Sequence, residues 1–490
     1  MLLKLLNKKD ILSLSILSTL ESKQKLIPIQ SLSQDLKVSE YHIRSGLDQL
    51  ILDEKRLGLP IPLFKIEILD NKMIQYTRCS SLSAYNYLRY IYANESNFMP
   101  FFQNFLFEKS KSQIDFFEDN FLSKTSFFRL RKQFKATLNL FDIDISTDVK
   151  LIGKEQHIRS FLYLYLLTTT GDIETPFSND FNSQSNKLIN AIAATLEYQF
   201  SNADTLKLKY YLYIVYLRHL QQHPLPSKNN YSQDAQLDKL AEILTSFFAF
   251  DSVSEGIATA IELRIFLYSE GMITLIPVPD QTLLVINLIR DKFIHYFNID
   301  DDMVDILFNH DVNTNLAQFL THISHFNYPV NLLSKVEKIN FLDDNFYEYK
   351  RFSQAIINLL PKYYANRQKF INRYHASLVT DFLLFIVSNF NLSQLTKPIL
   401  VTIDFTYGHT YTKLIENEIS KFSGLNIVTT KHLSNKTDIL ISNLSPQTFP
   451  TVHKLQWTSP PTSSDWAFLG NLIVDIKKKR QVTDETIETK

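Results

Sequence analysis

Between residues 123 and 141, apolar side chains return at steps of three and four. Phe127, Leu130, Phe134, Leu138 and Phe141 form one narrow stripe on a helix. At about 100° per residue, Lys124, Arg129, Arg131, Lys132 and Lys135 fall together on the broad flank beside it. No acidic residue lies between Ser123 and Phe141. Ser123 is the predicted N-cap, because its hydroxyl can accept a free N–H of the first turn. A helix packed on one face and cationic on the other suits a groove lined by phosphates. The same pattern also describes a solvated surface helix, so the surrounding chain has to decide.

Residues 10–76 carry the periodicity of a winged helix-turn-helix. Ile11, Leu14, Leu17 and Leu20 mark a first helix, and residues 29–36 a short second one. Lys37 and Val38 make a tight turn, and Ser39 caps a third helix through residue 50. Leu32, Leu36, Val38, Ile43, Leu47 and Leu50 occupy the apolar contacts of such a three-helix unit. Lys37 stands where this turn often has glycine. Residues 64–69 and 73–76 alternate around Asn71-Lys72, as a two-stranded wing does. Tyr41, Arg44, Ser45 and Asp48 are predicted to face outward. Tyr41 and Arg44 suit base or backbone contacts, with Ser45 beside them, whereas Glu40 and Asp48 oppose phosphate. A role as a packing module stays open for this unit.

A second helical unit follows over residues 80–145, with helices near 82–92, 99–107 and 112–119 leading to the cationic helix. A short strand or hairpin follows over 142–151. Two such units in tandem favour the cationic flank as a DNA face, with Arg129 or Asn139 available to bases. Residues 155–390 read as amphipathic helices, with loop-like stretches at 165–176 and 224–234. One helix ends in Arg218 and His219, with His223 before Pro224; another carries His322 and His325 before Pro329. This is a repeat of roughly 100 residues, the size of one domain. Residues 397–478 alternate strand, helix and strand, as in a small parallel α/β domain. The end from Gln481 is polar and expected to be disordered.

Composition narrows the chemistry. A chain of 490 residues needs several domains. Its formal charge is zero, so any nucleic-acid affinity comes from local clusters. Its one cysteine, Cys79, excludes an internal disulfide and a cysteine zinc cage, which agrees with a reducing cytoplasm. Nine glycines are few for a large α/β enzyme, and the phosphate-loop, dinucleotide, HExxH and GxSxG motifs are absent. No catalytic residue and no cofactor is expected. Lysines 4, 8 and 9 and Asp10 interrupt the apolar start, and the run from Phe161 to Leu167 falls short of the roughly 18 residues of a membrane span. His219 and His223, four apart on one helix face, have the spacing of a metal pair. Like His322 and His325, they lack a third ligand, so no metal is expected.

FLSKTSFFRLRKQFKATLNLFDIDIS followed by LIGKEQHIRSFLYLYL resembles the Mga/AtxA family of transcriptional regulators of low-GC Gram-positive bacteria. Ser123 with Arg129, and Gly153, Glu155, Ile158 and Arg159, carry the most specific matches, and the resemblance extends through the chain in order and length. It implies a mainly α, multidomain fold. A winged helix-turn-helix would occupy 1–76 and a Mga-type helix-turn-helix 77–150. Two helical phosphotransferase-regulation domains (PRDs) would take 151–280 and 281–395, an α/β domain like the EIIB component of sugar phosphotransferase systems 396–480, and a disordered tail 481–490. The implied function is a cytoplasmic, dimeric regulator of promoter DNA, an activator of virulence or sugar-responsive genes that engages RNA polymerase. It would dimerise through the second PRD and the EIIB-like domain. His219, His223, His322 and His325 become candidates for phosphorylation by HPr or EII proteins, with His223 and His322 ranked first. Active EIIB enzymes carry a cysteine at the end of the first strand; residues 403–406 have none, which argues for self-association instead. A PRD-containing RNA antiterminator is one alternative, although those have a β-rich N-terminus. A phosphotransfer protein is the other.

Overall fold

Serine side chains start helix after helix in this chain. The hydroxyls of Ser39, Ser83, Ser112, Ser123, Ser178, Ser201 and Ser252 each accept a backbone N–H from the first turn that follows. Ser112 with Asp115, and Ser201 with Asp204, complete reciprocal capping boxes. The computed structural model describes the chain except for residues 1, 24–25, 70–71, 111, 172, 174, 227–233, 275–277, 330–345, 392–394, 396, 422–425, 445–449, 459 and 489–490. The described chain is mainly helical, with a small parallel sheet near its C-terminus. It divides into Met1–Leu275 with His325–Tyr328, and Ile276–Ser324 with Pro329–Lys490.

The first unit begins with α1 (Lys8–Lys23), β1 (Ile27–Pro28), α2 (Ile29–Leu36) and α3 (Glu40–Arg56). β2 (Phe64–Ile68) and β3 (Met73–Arg78) follow, and the three strands pair antiparallel in the order β1-β3-β2. Leu14, Leu17, Leu20, Leu32, Ile43, Leu47 and Leu50 meet in one core with Ile74 of the sheet. Each contributes about 1.5–3 kcal/mol by leaving water. Lys37 closes α2 at φ 54°, the left-handed conformation that glycine adopts freely. At Gly46, where α3 meets α1, a Cβ would lie 2.5 Å from Ile16 Cδ1, so a side chain there would have to turn the tip of Ile16 aside.

Next come α4 (Ala84–Asn94), α5 (Met99–Phe107), α6 (Gln113–Asp119) and α7 (Lys124–Leu138). A hairpin of β4 (Asp144–Ile145) and β5 (Leu151–Ile152) leads to α8 (Glu155–Thr169). The apolar stripe of α7 is buried among phenylalanines. Phe127 stacks on Phe101 at 5.5 Å between ring centres, and Phe134 meets Phe98 at 4.7 Å and Phe101 at 5.2 Å. Such pairs add about 0.5–1.5 kcal/mol each beyond burial. This aromatic core continues past residue 150. Phe161 of α8 meets Phe141 at 5.1 Å, and Tyr165 lies 3.9 Å from Phe102. A division at 150 therefore cuts through shared packing.

α9 (Asn179–Leu196), α10 (Asn202–Leu220), α11 (Ala235–Phe248) and α12 (Val253–Ser269) complete this unit. The loop read from residue 165 begins later, because α8 runs to Thr169 with the Thr168 and Thr169 hydroxyls bonded back to backbone carbonyls. Of the loop read at 224–234, residues 227–233 lie outside the described residues.

The second unit holds α13 (Asp280–Phe297), α14 (Asp301–Leu307), α15 (His310–His325) except its last residue, α16 (Tyr347–Tyr363), α17 (Gln368–Arg373) and α18 (His375–Asn389). Phe293 anchors them, stacked on Phe390 at 4.5 Å and edge-on to Phe308 at 5.3 Å. A parallel sheet follows, built from β6 (Ile399–Asp404), β7 (Ile427–Thr430), β8 (Ile439–Ser442) and β9 (His453–Gln456) in the order β7-β6-β8-β9. α19 (His409–Ser420) and α20 (Ser463–Glu488) supply Ile415, Ile419, Leu469 and Ile473 to its core. β9 escapes sequence reading because only Leu455 of its four residues is buried. The end from Gln481, expected to be disordered, is instead helical to Glu488. α20 contains no proline, so nothing breaks the hydrogen-bond ladder where the apolar pattern stops.

Candidate nucleic-acid interface

α6, a four-residue turn and α7 form a helix-turn-helix. Ser123 Oγ accepts the Ser126 N–H at 3.2 Å and starts α7 where the sequence predicts. With Phe127, Leu130, Phe134 and Leu138 buried, Lys124, Arg129, Lys132 and Asn139 are left exposed. Lys124, Arg129 and Lys132 have no side-chain hydrogen bond or ion pair among the described residues.

The five predicted cations are not equivalent. Arg131 is half-buried and donates to the Ile145 carbonyl at 2.7 Å, so it holds β4 against α7. Lys135 is exposed, but its Nζ lies 2.6 Å from Asp144 Oδ2. Burial alone would push the Asp144 carboxyl up; hydrogen bonds from Lys135 and the Ile145 N–H outweigh it and hold the group below its ordinary range. Two of the five are thus committed to the hairpin, because Asp144 and Ile145 follow the helix closely in sequence. On α6, Asp115 is used in the capping box and Asp119 accepts from Ser110 Oγ at 3.0 Å; Glu118 is exposed.

On α3, Tyr41, Ser45 and Asp48 are exposed as the periodicity predicts, whereas Arg44, also expected to face outward, is half-buried. Glu40 has a counter-charge in the wing, with Lys72 Nζ at 3.9 Å. Asp53 ties the N-terminal three-helix unit to α4. This buried carboxylate accepts from Tyr92 Oη at 2.7 Å, from Gln49 Nε2 at 2.8 Å and from Arg56 Nη1 at 3.1 Å.

The histidines part from expectation. α10 ends at Leu220, so His223 lies beyond the helix and does not pair with His219 on one face. His219 Nδ1 is 3.1 Å from Glu255, and His223 Nε2 is 2.8 Å from Glu108 at the end of α5. Among the described residues no group of three or more metal-ligating side chains converges. His322, ranked high for phosphorylation, is only 1% exposed, because it sits on the packed face of α15 near its C-terminal end; His325, the last residue of α15, is half-buried. Around His223 is a charged cluster. Arg218 grips Glu155 with two hydrogen bonds at 2.9 and 2.8 Å, and Arg159 Nε donates to the same carboxylate at 2.9 Å. Arg159 also donates to the His223 carbonyl at 3.1 Å, and Lys150 reaches Glu108 at 2.6 Å. Glu155 and Arg159, named from the sequence as a motif, act here in packing α8 against α10.

At the tip of the α/β domain, the Thr406 N–H donates to Asn443 Oδ1 at 2.9 Å, and Asn443 Nδ2 donates back to Thr406 Oγ1 at 2.6 Å. Sequence reading missed two aromatic side chains near α7. Phe121, in the turn before it, is 96% exposed, and Phe128 on its cationic flank is 43% exposed. Phe128 was detectable as an apolar residue off the buried stripe; Phe121 carried no periodic signal.

No helix among the described residues is long and apolar enough to cross a membrane. The curated proteins contain no match to the chain. Residues 81–166, spanning α4 to most of α8, match the Mga helix-turn-helix domain, and this match supports the chain's membership of the Mga/AtxA regulator family, which suggests a DNA-binding regulator.

Proposed function

We propose that the chain is a cytoplasmic transcriptional regulator that lays α7 into the major groove of promoter DNA. Lys124, Arg129 and Lys132 take phosphates, Arg129 and Asn139 reach base edges, and α3 adds Tyr41, Arg44 and Ser45. The observation that carries this reading is an exposed α7 face with no carboxylate and three cations that have no partner among the described residues. An electrophoretic shift with duplex DNA and with single-stranded RNA tests it. Retention of duplex but not RNA is expected; the reverse indicates an RNA-binding antiterminator.

In this reading residues 151–280 and 281–395 are PRDs, and residues 281–480 join two copies into the binding-competent dimer. The regulator activates virulence or sugar-responsive genes through RNA polymerase. Of the four histidine candidates we favour His223 as the acceptor of a phosphoryl group from HPr or an EII protein, because its side chain is 38% exposed against 16% for His219, and His322 is buried. Modification adds close to two negative charges, here beside Glu108 and the two buried arginines. The link between α5 and the end of α10 is then rebuilt, which biases DNA binding. Light scattering of wild type, His223→Ala and His223→Asp, together with duplex affinity, tests this. Three identical proteins would refute it.

A further inference from the structure

The two most exposed large apolar side chains among the described residues are Phe121 and Tyr41. Both stand at the leading end of the second helix of a helix-turn-helix: Tyr41 is the second residue of α3, and Phe121 lies two residues before the cap of α7. Phe121 also has a costly backbone. Its φ is 52°, and its N–H and that of Leu122 close α6 by bonding the Glu118 and Phe117 carbonyls at 3.3 and 2.9 Å. That termination places a left-handed residue after the helix, where glycine is unstrained and a phenylalanine is not. A side chain that both strains its backbone and packs against nothing in its own domain gains nothing for the fold. Such combinations collect at functional positions.

The surroundings indicate what the ring meets. Phe128, exposed and four residues from both Lys124 and Lys132, puts a second apolar ring on the cationic flank of α7. An apolar ring framed by phosphate-binding charges fits the floor of a major groove, where thymine alone presents a methyl group. We propose that Phe121 is a base-reading residue that packs on a thymine C5-methyl group. This rests on the DNA-binding reading of α7.

The test uses the full-length protein. A duplex is selected from a random-sequence pool, then resynthesised with uracil for thymine at single positions, which removes only the methyl group. Wild type should lose about fourfold at one or two positions, the weight of one methyl removed from water. Phe121→Gly, which relieves the left-handed strain, should bind thymine and uracil forms equally and melt no lower than wild type. Equal binding of both forms by wild type, or discrimination that survives in Phe121→Gly, overturns the proposal. So does a changed oligomeric state of Phe121→Gly without DNA, which would make Phe121 a subunit contact. Failure to select any duplex removes the DNA reading itself, a separate result.

Discussion

The α7 surface makes a quantitative prediction for salt dependence. Replacing Arg129 and Lys132 together by alanine removes two exposed cations with no protein partner among the described residues, so the loss falls on bound phosphates rather than on the fold. Each lost phosphate contact lowers the slope of log K against log salt by about 0.9, and the pair by about 1.8. Between about 50 and about 200 mM salt, the affinity advantage of wild type over the double variant should therefore shrink by about twelvefold. Fluorescence anisotropy with a labelled duplex across that range measures it. Asp144→Asn should act in the opposite sense, because it frees Lys135 from the carboxylate 2.6 Å away and can add up to about 0.9 to the slope. Arg131→Ala is the control: its guanidinium serves the Ile145 carbonyl, so melting should fall while the slope holds. A double variant with the wild-type slope would refute α7 as the phosphate-binding helix, whatever its affinity.

Further outcomes follow from the buried charges. Glu155→Ala leaves the buried Arg159 guanidinium without its carboxylate and Arg218 with only Glu108 at 3.7 Å, a loss of about 3–5 kcal/mol that urea denaturation should register. Asp53→Ala strips the buried Tyr92 hydroxyl of its acceptor and should cost about 1–3 kcal/mol, measured the same way. Burial raises the Glu108 carboxyl, but hydrogen bonds from Lys150 and His223 outweigh it and hold the group below its ordinary value. A depressed carboxylate stabilises the fold above its unfolded pKa, and that contribution is lost as pH falls through the folded value. Lys150→Ala should therefore move the acid-unfolding midpoint to higher pH; circular dichroism against pH reads the shift.

Local sequence determined most of the helical elements. Serine caps placed the starts of α3 and α7, and steps of three and four placed their buried stripes, because capping and amphipathicity depend on residues within a few turns of one another. β6, β7 and β8 were legible for a similar reason, as apolar runs bounded by polar turns. β9 was not, because an edge strand with one buried residue carries almost no pattern. The helical end of α20 was hidden as well, since polar composition predicts solvation but not whether the backbone bonds to itself.

What tertiary structure alone decided is which charges are at liberty. Five cations on α7 look alike in a helical projection. Only the hairpin folding back places Ile145 and Asp144 against Arg131 and Lys135 and leaves Lys124, Arg129 and Lys132 to solvent. Likewise, the spacing of His219 and His223 suggested one helix face, until the end of α10 at Leu220 sent His223 to Glu108, 115 residues away in the chain. Periodicity reports on neighbours within a few turns, whereas the partner of a charge is set by long-range packing, and that packing separates the cations free to meet phosphate from those already spent on the fold.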